Sequence, residues 1–504
     1  MRGIIGGLLA AWLAAAPAAH AQKSADTLRI AWRDAVATLD PYYHQQRTGL
    51  ILAHHLFDGL VHRDPEAFIL RPLLATSWRY TDETTLEFEL RRGVTFHDGS
   101  PFTAEDVVYT VSTILADPGV SVPSNFAWLD GAEKVDTHRV RLKLKRAFPA
   151  AIEYVAMVLP IWPQAARERL GAEAFAQAPV GAGPYRFTGR EGGWRRLMLE
   201  RFDGYYPDSP KGRPAIARLQ IDQVPNAAAE LEALLAGRAD WIWNFLADSS
   251  ESIARAPGLQ ALRAESMRVG YLSLDAAGRT GADNPLTRQK VRQAIVHAID
   301  RQGFVRQVVQ GGSRVPEAPC FPTQFGCDAT AAVRYDYNPA RARALLAEAG
   351  YPDGFDTELV TYVLPQWAAA IQGYLKAVGI HARITQRPVA EVVRASLAGD
   401  VPIGQLAWGS FSINDVSAFL PFFFGGGPND YTRDPALAAL IAQGGASTNP
   451  NERRRFYSQA IRLVTEQAYM VPLNTYVTTY GVSRTLAFRP FTDEIPRFYL
   501  AFWR

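Results

Sequence analysis

The stretch that decides the fold runs from Thr84 to Thr110 and reads TTLEFELRRGVTFHDGSPFTAEDVVYT. Apolar and acidic residues alternate over Leu86–Leu90, which is the period-two pattern of a half-buried strand. His97–Gly99 predicts a turn, because glycine tolerates the positive φ that a side chain resists. Thr103 lies three residues before Asp106 and can cap the helix that follows. The stretch therefore predicts a strand, a turn and a capped helix, a unit found in many α/β scaffolds.

Six further phrases lie on either side of this stretch. They are Leu39-Asp40-Pro41, Leu56–Val61, Pro72–Trp78, Pro179–Tyr185, Val291–Arg301 and Tyr337–Ala342. In this order, and together with the stretch itself, they resemble the extracellular solute-binding protein family 5, the periplasmic proteins that feed ABC importers of peptides and nickel. The resemblance implies an α/β, two-lobed periplasmic binding protein (type II, cluster C-like) with an extra subdomain in the first lobe. It also implies a receptor and not an enzyme.

Length and composition agree with a two-lobed soluble protein. A chain of 504 residues is too long for one hydrophobic core, so two or more lobes are expected. A hydrophobic content of 48% with 20% charged residues is ordinary for a globular chain. The net charge is +3, and the basic residues are spread along the chain, which argues against a nucleic-acid partner.

The N-terminus predicts export to the periplasm. Arg2, the apolar run Ile4–Ala16 and the motif Ala19-His20-Ala21 have the order of a secretory signal peptide over residues 1–21. Cleavage would leave a mature chain that begins near Gln22. The apolar run is shorter than the roughly 20 residues of a membrane span, so an uncleaved anchor is the weaker alternative. No cysteine lies near the cleavage site, so we expect no lipid attachment.

The two cysteines fit an exported protein. Cys320 and Cys327 are the whole cysteine content of the chain. An even number of cysteines at close spacing in an exported chain predicts one local disulfide. The metal alternative is weak, because neither cysteine has a second cysteine or a histidine at ligand spacing.

Four histidines lie close together near the start of the mature chain. They are His44, His54, His55 and His62. Adjacent histidines on a helix point about 100° apart, whereas a zinc-binding helix favours i,i+4 spacing. Packing or surface roles are therefore preferred to a metal site, and we expect no metal and no cofactor.

The pattern of strands and helices predicts how the chain divides. Apolar strands near residues 267–274 and 472–483 are expected to cross between the lobes, so that a hinge can open and close a cleft. The predicted domains are residues 26–266 with 476–504 for the first lobe, residues 61–178 for a subdomain within it, and residues 267–475 for the second lobe.

Catalytic motifs are not found in the sequence. Gly409–Ile413 does not match the Gly-x-Ser-x-Gly motif of a nucleophile elbow, because its last residue is isoleucine and not glycine. Neither a His-Glu-x-x-His helix nor a phosphate loop occurs. A secreted hydrolase or a chaperone remains the alternative outside the binding-protein class. Within the class we expect a monomeric receptor whose partners are a small-molecule or short-peptide ligand and the ABC transporter permease in the inner membrane.

Ligand-binding candidates come from strand ends and from the family's phrases. Strand C-terminal ends border ligand clefts in open α/β sheets, which places Asp34 at a predicted rim. The aromatic residues after Gly237 either line a pocket or pack in a hydrophobic core, and the sequence pattern does not decide between these two positions. The predicted set is Asp34, Trp241, Asn244, Phe245, Tyr362, Trp408, Ser410, Phe411, Ser412, Asn414 and Asp415.

Specificity depends on Trp408–Leu420, read as WGSFSINDVSAFL. In peptide-binding relatives this segment carries a carboxylate that holds the peptide's ammonium. Here Asp415 is its single acid and is out of register. Two interpretations follow: Asp415 anchors an ammonium, or it caps a helix that begins at Val416. In the second case Trp408, Phe411 and Trp241 would form apolar walls, and Ser410, Ser412 and Asn414 would offer neutral hydrogen bonds.

The segment Leu364–Trp367 departs from the dipeptide-binding pattern as well, because it lacks the arginine that suits a peptide carboxylate. A peptide-like solute is the first expectation. Nickel or a metal chelate, an opine and an oligosaccharide are the alternatives.

Overall fold

The computed structural model describes residues 26–44, 46–245 and 249–504. The predicted signal peptide and its cleavage site lie outside these residues. None of the helices in the described ranges combines the length and apolar character that crossing a bilayer requires.

Among the described residues the chain forms mixed α/β structure. The strands are β1 Thr27–Trp32, β2 Val61–Arg63, β3 Leu70–Pro72, β4 Ala75–Asp82, β5 Thr85–Leu90, β6 Leu129–Asp136, β7 Arg139–Leu144, β8 Tyr185–Glu191, β9 Arg196–Arg201, β10 Arg218–Gln223, β11 Trp241–Trp243, β12 Leu259–Leu274, β13 Phe355–Thr361, β14 Ile380–Gln386, β15 Ile403–Trp408, β16 Met470–Ser483, β17 Leu486–Ala487 and β18 Phe502–Trp503. The α-helices are α1 Arg47–Leu56, α2 Ala104–Ala116, α3 Ala151–Val158, α4 Gln164–Leu170, α5 Ala172–Gln177, α6 Ala227–Leu235, α7 Ser249–Arg255, α8 Gln289–Ala298, α9 Arg301–Phe304, α10 Pro339–Glu348, α11 Pro365–Lys376, α12 Val389–Ala398, α13 Leu420–Phe424, α14 Pro435–Ala446 and α15 Pro450–Glu466.

The stretch Thr84–Thr110 forms the predicted strand, turn and capped helix. β5 pairs with β4 and β7 in a small antiparallel sheet. Gly99 has a φ of 85° in the following turn. Thr103 caps α2 in a capping box, in which the Thr103 backbone N–H donates to the Asp106 carboxylate at 2.9 Å. Phe88 and Val107 are buried in the core that this sheet shares with α2.

Two long strands connect the lobes. β12 and β16 pair antiparallel from Leu259–Ser483 to Ser273–Met470. At one end of the ten-stranded sheet to which they belong lie β11, β1, β10, β9 and β8, and at the other end lie β15, β13 and β14. Apolar strands predicted near residues 267–274 and 472–483 are thus confirmed as parts of β12 and β16.

The second half of the chain alternates helices and strands. Asn338 caps α10 by accepting a hydrogen bond from the Arg341 backbone N–H at 2.9 Å. β13 then pairs parallel with both β14 and β15. The predicted disulfide is present between Cys320 and Cys327, whose Cα atoms are 5.8 Å apart.

Separate hydrophobic cores support the predicted division into lobes. One core combines residues between Leu28 and Trp243 with the C-terminal residues 480–501, while two others lie within residues 271–473. We propose the boundaries given above on this basis, with residues 61–178 as the subdomain. Ile413 and Ala418 are informative exceptions, because they pack in the first core although they belong to the second-lobe segment of the chain.

Candidate functional site

A cavity of about 670 Å³ lies between the two lobes. The first lobe contributes α1, the C-terminal end of α3 and the loops around residues 41–46 and 120–126. The second lobe contributes the C-terminal half of β12, the helix α12 and residues 406–411 and 422–431. Within the described part of the chain, none of the residues lining this cavity is an aspartate or a glutamate. The wall therefore offers no negative side-chain charge to a solute.

Aromatic rings form the second-lobe wall. The Trp408 ring stacks on Phe422 with centroids 4.4 Å apart and meets the edge of Phe411 at 5.0 Å. Tyr362 is fixed by Ala407 at the end of β15, since the Tyr362 hydroxyl donates to the Ala407 carbonyl and accepts from its N–H, both at 2.9 Å. These contacts hold the rings in defined positions, and a wall that is already ordered reduces the entropy that binding must overcome.

Among the described residues, three cationic side chains reach the cavity wall: Arg47, Lys211 and Arg268. Lys211 forms a buried ion pair with Asp58 at 2.6 Å. Arg47 and Arg268 share one carboxylate, that of Glu494, at 3.0 and 3.1 Å. Burial alone would raise the pKa of the Glu494 carboxyl, but the guanidinium groups of Arg268 and Arg47 lower it to about 2. Two positive charges and one negative charge leave an excess of one positive charge at this place.

The histidines give the cavity hydrogen-bonding capacity without charge. His44, His54 and His62 line it, whereas His55 is buried and accepts a hydrogen bond from the Phe498 backbone N–H at 3.0 Å. Burial lowers the pKa of His44 to about 4 and that of His62 to about 3, so both rings are neutral at neutral pH. The described residues contain no group of three or more His, Cys, Asp or Glu side chains that could hold a metal ion.

The structure brings some of the predicted site residues to the cavity. Tyr362, Trp408 and Phe411 line it. Trp241 instead lies fully buried in the first core, where its ring meets Tyr480 at 5.8 Å. The sequence could not separate pocket from core for this residue, because a buried aromatic ring satisfies either setting.

Three other predicted residues also lie outside the cavity wall. Phe245 packs in a small cluster with residues of α6 and α7. Asn244 is exposed, has a φ of 51° and accepts a hydrogen bond from the Arg33 guanidinium through its carbonyl. Asp34 is half-buried beside Arg33, at the end of β1. The rim predicted at this strand end is therefore not the cavity wall.

Ser410, Phe411 and Ser412 form a turn with three consecutive positive φ angles of 50°, 49° and 63°. Left-handed backbone is unusual for residues with side chains and needs support from the surroundings. The first lobe provides it, because the Ser412 hydroxyl accepts from the Arg47 guanidinium and donates to the Asp493 carbonyl, each at 2.6 Å. Ser410 and Ser412 are buried, so they support the turn and do not line the cavity.

Asn414 and Asp415 continue this segment away from the cavity. The Asn414 backbone N–H donates to Glu153 of the first lobe at 2.9 Å. Asp415 accepts a hydrogen bond from the Ser417 backbone N–H at 2.9 Å and so caps the short 3₁₀ helix Val416–Ala418. Its carboxylate also forms a buried ion pair with Arg453, with O–N distances of 2.8 and 3.1 Å. This geometry favours the cap interpretation and adds a partner that the sequence did not reveal.

Sequence reasoning missed Arg47, Arg268 and the helix α12. Arginines are common on protein surfaces, and nothing in the sequence marks these two. α12 did carry a signal, because Val389, Val393 and Leu397 follow one another at i, i+4 and i+8. All three residues line the cavity.

A cavity enclosed between two α/β lobes, which are joined by long crossing strands, defines the class of two-lobed periplasmic binding proteins. The sequence model described as "Bacterial extracellular solute-binding proteins, family 5 Middle" matches residues 70–431. The chain belongs to this family.

Individual relatives agree with this assignment. Heme-binding protein A of Haemophilus influenzae is 26% identical over 484 residues, which cover 88% of this chain and 84% of the relative. Glutathione-binding protein GsiB of Salmonella choleraesuis is 27% identical over 498 residues, covering 92% of both chains. The solved structure of HbpA2 from Haemophilus parasuis is 25% identical, with a TM-score of 0.81 over 95% of this chain and 100% of that one.

Proposed function

We propose that this chain is the solute-binding receptor of an ABC importer, which encloses a peptide-like small solute between its lobes in the periplasm and delivers it to the membrane permease. The observation that carries the proposal is the cavity of about 670 Å³ walled by both lobes. This volume lies within the range of roughly 300–1,000 Å³ that is usual for small-molecule sites. A relative named for binding glutathione supports a peptide-like solute, and one named for binding heme supports a non-peptide alternative.

Contacts across the cleft supply the mechanism of closure. The guanidinium groups of Arg47 and Arg63 donate to the hydroxyl and the carbonyl of Ser412, respectively, and Glu153 accepts from the backbone of Asn414. These bonds join the first lobe to the loop that follows β15. Opening the hinge would break these bonds, so they would stabilise the closed form. The closed form is the one expected to dock on the permease.

The family is one of substrate-binding receptors, so we expect the solute to be returned unchanged. Native mass spectrometry of protein purified from its own periplasm should show one retained small molecule per chain. Small-angle scattering should show a smaller radius of gyration with that molecule than after its removal. We expect a monomer in both states.

A matched pair of variants makes the test specific to the cavity. Val393→Trp places bulk inside the cavity, whereas Leu235→Trp places it on an exposed part of α6 outside the cavity wall. The retained mass should be lost in the first variant and kept in the second. Equal retention by both variants would refute a site in this cavity. Turnover of the retained molecule, abolished by one point substitution, would support the hydrolase alternative.

A further inference from the structure

Arg268 is directed at the cavity by an irregularity in the sheet. The pairing of β12 with β16 passes from Glu265–Val477 to Val269–Thr475, so three residues of β12 face one residue of β16. Bulges of this kind turn a side chain away from its regular direction. The Met267 backbone N–H donates to the Thr492 carbonyl at 2.9 Å, which ties the bulge to the chain segment that carries Glu494.

The Arg268 guanidinium keeps hydrogen-bonding capacity for a solute. Its Nε and Nη2 donate to the Glu494 carboxylate at 3.4 and 3.1 Å. Its Nη1 makes no hydrogen bond to any residue in the described ranges, and the side chain is about one-third exposed. Arg47 neutralises the same carboxylate from the other side, so the positive charge of Arg268 is only partly compensated.

A glycine leaves room beside these two cations. Gly409 lines the cavity, and a Cβ added to it would lie 3.3 Å from Arg268 Nη2 and 3.7 Å from Arg47 Nη2. The backbone at Gly409 therefore passes close to both guanidinium groups without covering them with a side chain. An acid group of a solute can approach here, in a wall that contains no carboxylate within the described residues.

An apolar stripe on α12 lies on the same cavity. Val389, Val393 and Leu397 are 54%, 47% and 44% exposed, although they line a cavity that is otherwise rich in aromatic side chains. Val120 and Val122 of the first lobe line it as well. Exposed valine and leucine side chains that line one face of a cleft gain free energy when an apolar surface covers them. The body of the solute is the available cover.

We infer that the solute is an acid without an ammonium group: a bulky apolar body that covers the α12 stripe and the Trp408 ring, with a carboxylate that accepts a hydrogen bond from Arg268 Nη1. The inference rests on the proposed receptor function and narrows it. A free ammonium is disfavoured because a buried cation needs a partner charge, and the cavity wall formed by the described residues supplies only cations and neutral groups.

Three dipeptide probes distinguish the effect of a charged amino end from that of a charged carboxyl end. They are Phe-Leu, N-acetyl-Phe-Leu and N-acetyl-Phe-Leu amide, titrated calorimetrically into protein freed of retained solute. We expect N-acetyl-Phe-Leu to bind at least about tenfold more tightly than either of the other two, as for one charge-assisted hydrogen bond. Arg268→Gln should abolish the preference for acid over amide, while Arg47 still neutralises Glu494.

Arg314→Gln is the matched control. Arg314 forms a similar ion pair with Glu265 on the same strand, at 2.6 Å, and does not line the cavity. The Arg314→Gln variant should still bind N-acetyl-Phe-Leu more tightly than its amide. Tightest binding of Phe-Leu, an unchanged acid preference in Arg268→Gln, or binding of none of the probes would each overturn the inference. None of these results touches the receptor function, which depends on the retained mass in the native protein.

Discussion

Replacing Asp415 by asparagine should destabilise the second lobe and leave solute affinity unchanged. The Asp415 and Arg453 side chains are 6% and 7% exposed and form an ion pair at 2.8 Å. Asparagine keeps the N-cap of the helix that starts at Val416, because its carbonyl can accept the same hydrogen bond. The decrease in the free energy of unfolding therefore comes from the loss of the ion pair with Arg453. Removing one partner of a buried pair costs about 3–5 kcal/mol, because the remaining charge stays buried.

Thermal and chemical unfolding measure this loss. For a unit of 150–250 residues, 3–5 kcal/mol corresponds to a decrease in Tm of roughly 6–20 °C. Asp415→Ala should lose about 1 kcal/mol more, since it removes the cap as well. Glu232→Gln is the control, because its ion pair with Arg238 is exposed on both sides and such pairs contribute little.

Calorimetry completes the Asp415 test. Because Asp415 does not line the cavity, the variant that remains folded should bind N-acetyl-Phe-Leu as the wild type does. One result would refute this reasoning: the wild type binds unblocked Phe-Leu tightly, and Asp415→Asn loses this binding while its stability is unchanged. Asp415 would then be the anchor of the peptide ammonium.

Two further predictions concern the disulfide and the shared carboxylate. Exported protein denatured without reductant should contain no free thiol, and replacing Cys320 and Cys327 by serine should lower the free energy of unfolding by about 2–3 kcal/mol; two titratable thiols in the wild type would contradict the bond. For Glu494, whose pKa falls to about 2 in the folded protein, stabilisation relative to Glu494→Gln should be complete above the unfolded pKa of about 4.3 and disappear as the pH falls towards 2. A difference in unfolding midpoint that stays constant between about pH 6 and about pH 2 would contradict the pairing with Arg268 and Arg47.

Local patterns predicted the elements of this fold because they depend on neighbours in the chain. The alternation before His97, the capping residues at Thr103 and Asn338 and the spacing of the two cysteines each act over a few positions. All of them are present in the structure. The order of family phrases predicted the class of fold, which local periodicity alone does not distinguish from other α/β arrangements.

The site could be predicted only in part because its geometry depends on distant contacts. The left-handed turn at Ser410–Ser412 contains no glycine, and its support comes from Arg47, 365 positions away. Arg268 reaches the cavity because of a bulge in β12, and no residue type in the sequence predicts that bulge. Trp408 and Trp241 are equally aromatic in sequence, yet one lines the cavity and the other is buried in a core.

The position of Asp415 also limits which solutes are compatible with the site. It is the single acid in the segment where the family resemblance implies an ammonium anchor, and here its carboxylate is already neutralised by Arg453. An ammonium that recruited Asp415 would have to break this pair and leave Arg453 buried without a partner, at a cost of about 3–5 kcal/mol. The new contact would return less than that, since a hydrogen bond to a charged group contributes about 1.5–3 kcal/mol. An uncharged amino end avoids this loss, and the excess positive charge at Arg268 and Arg47 then favours an acid at the other end of the solute.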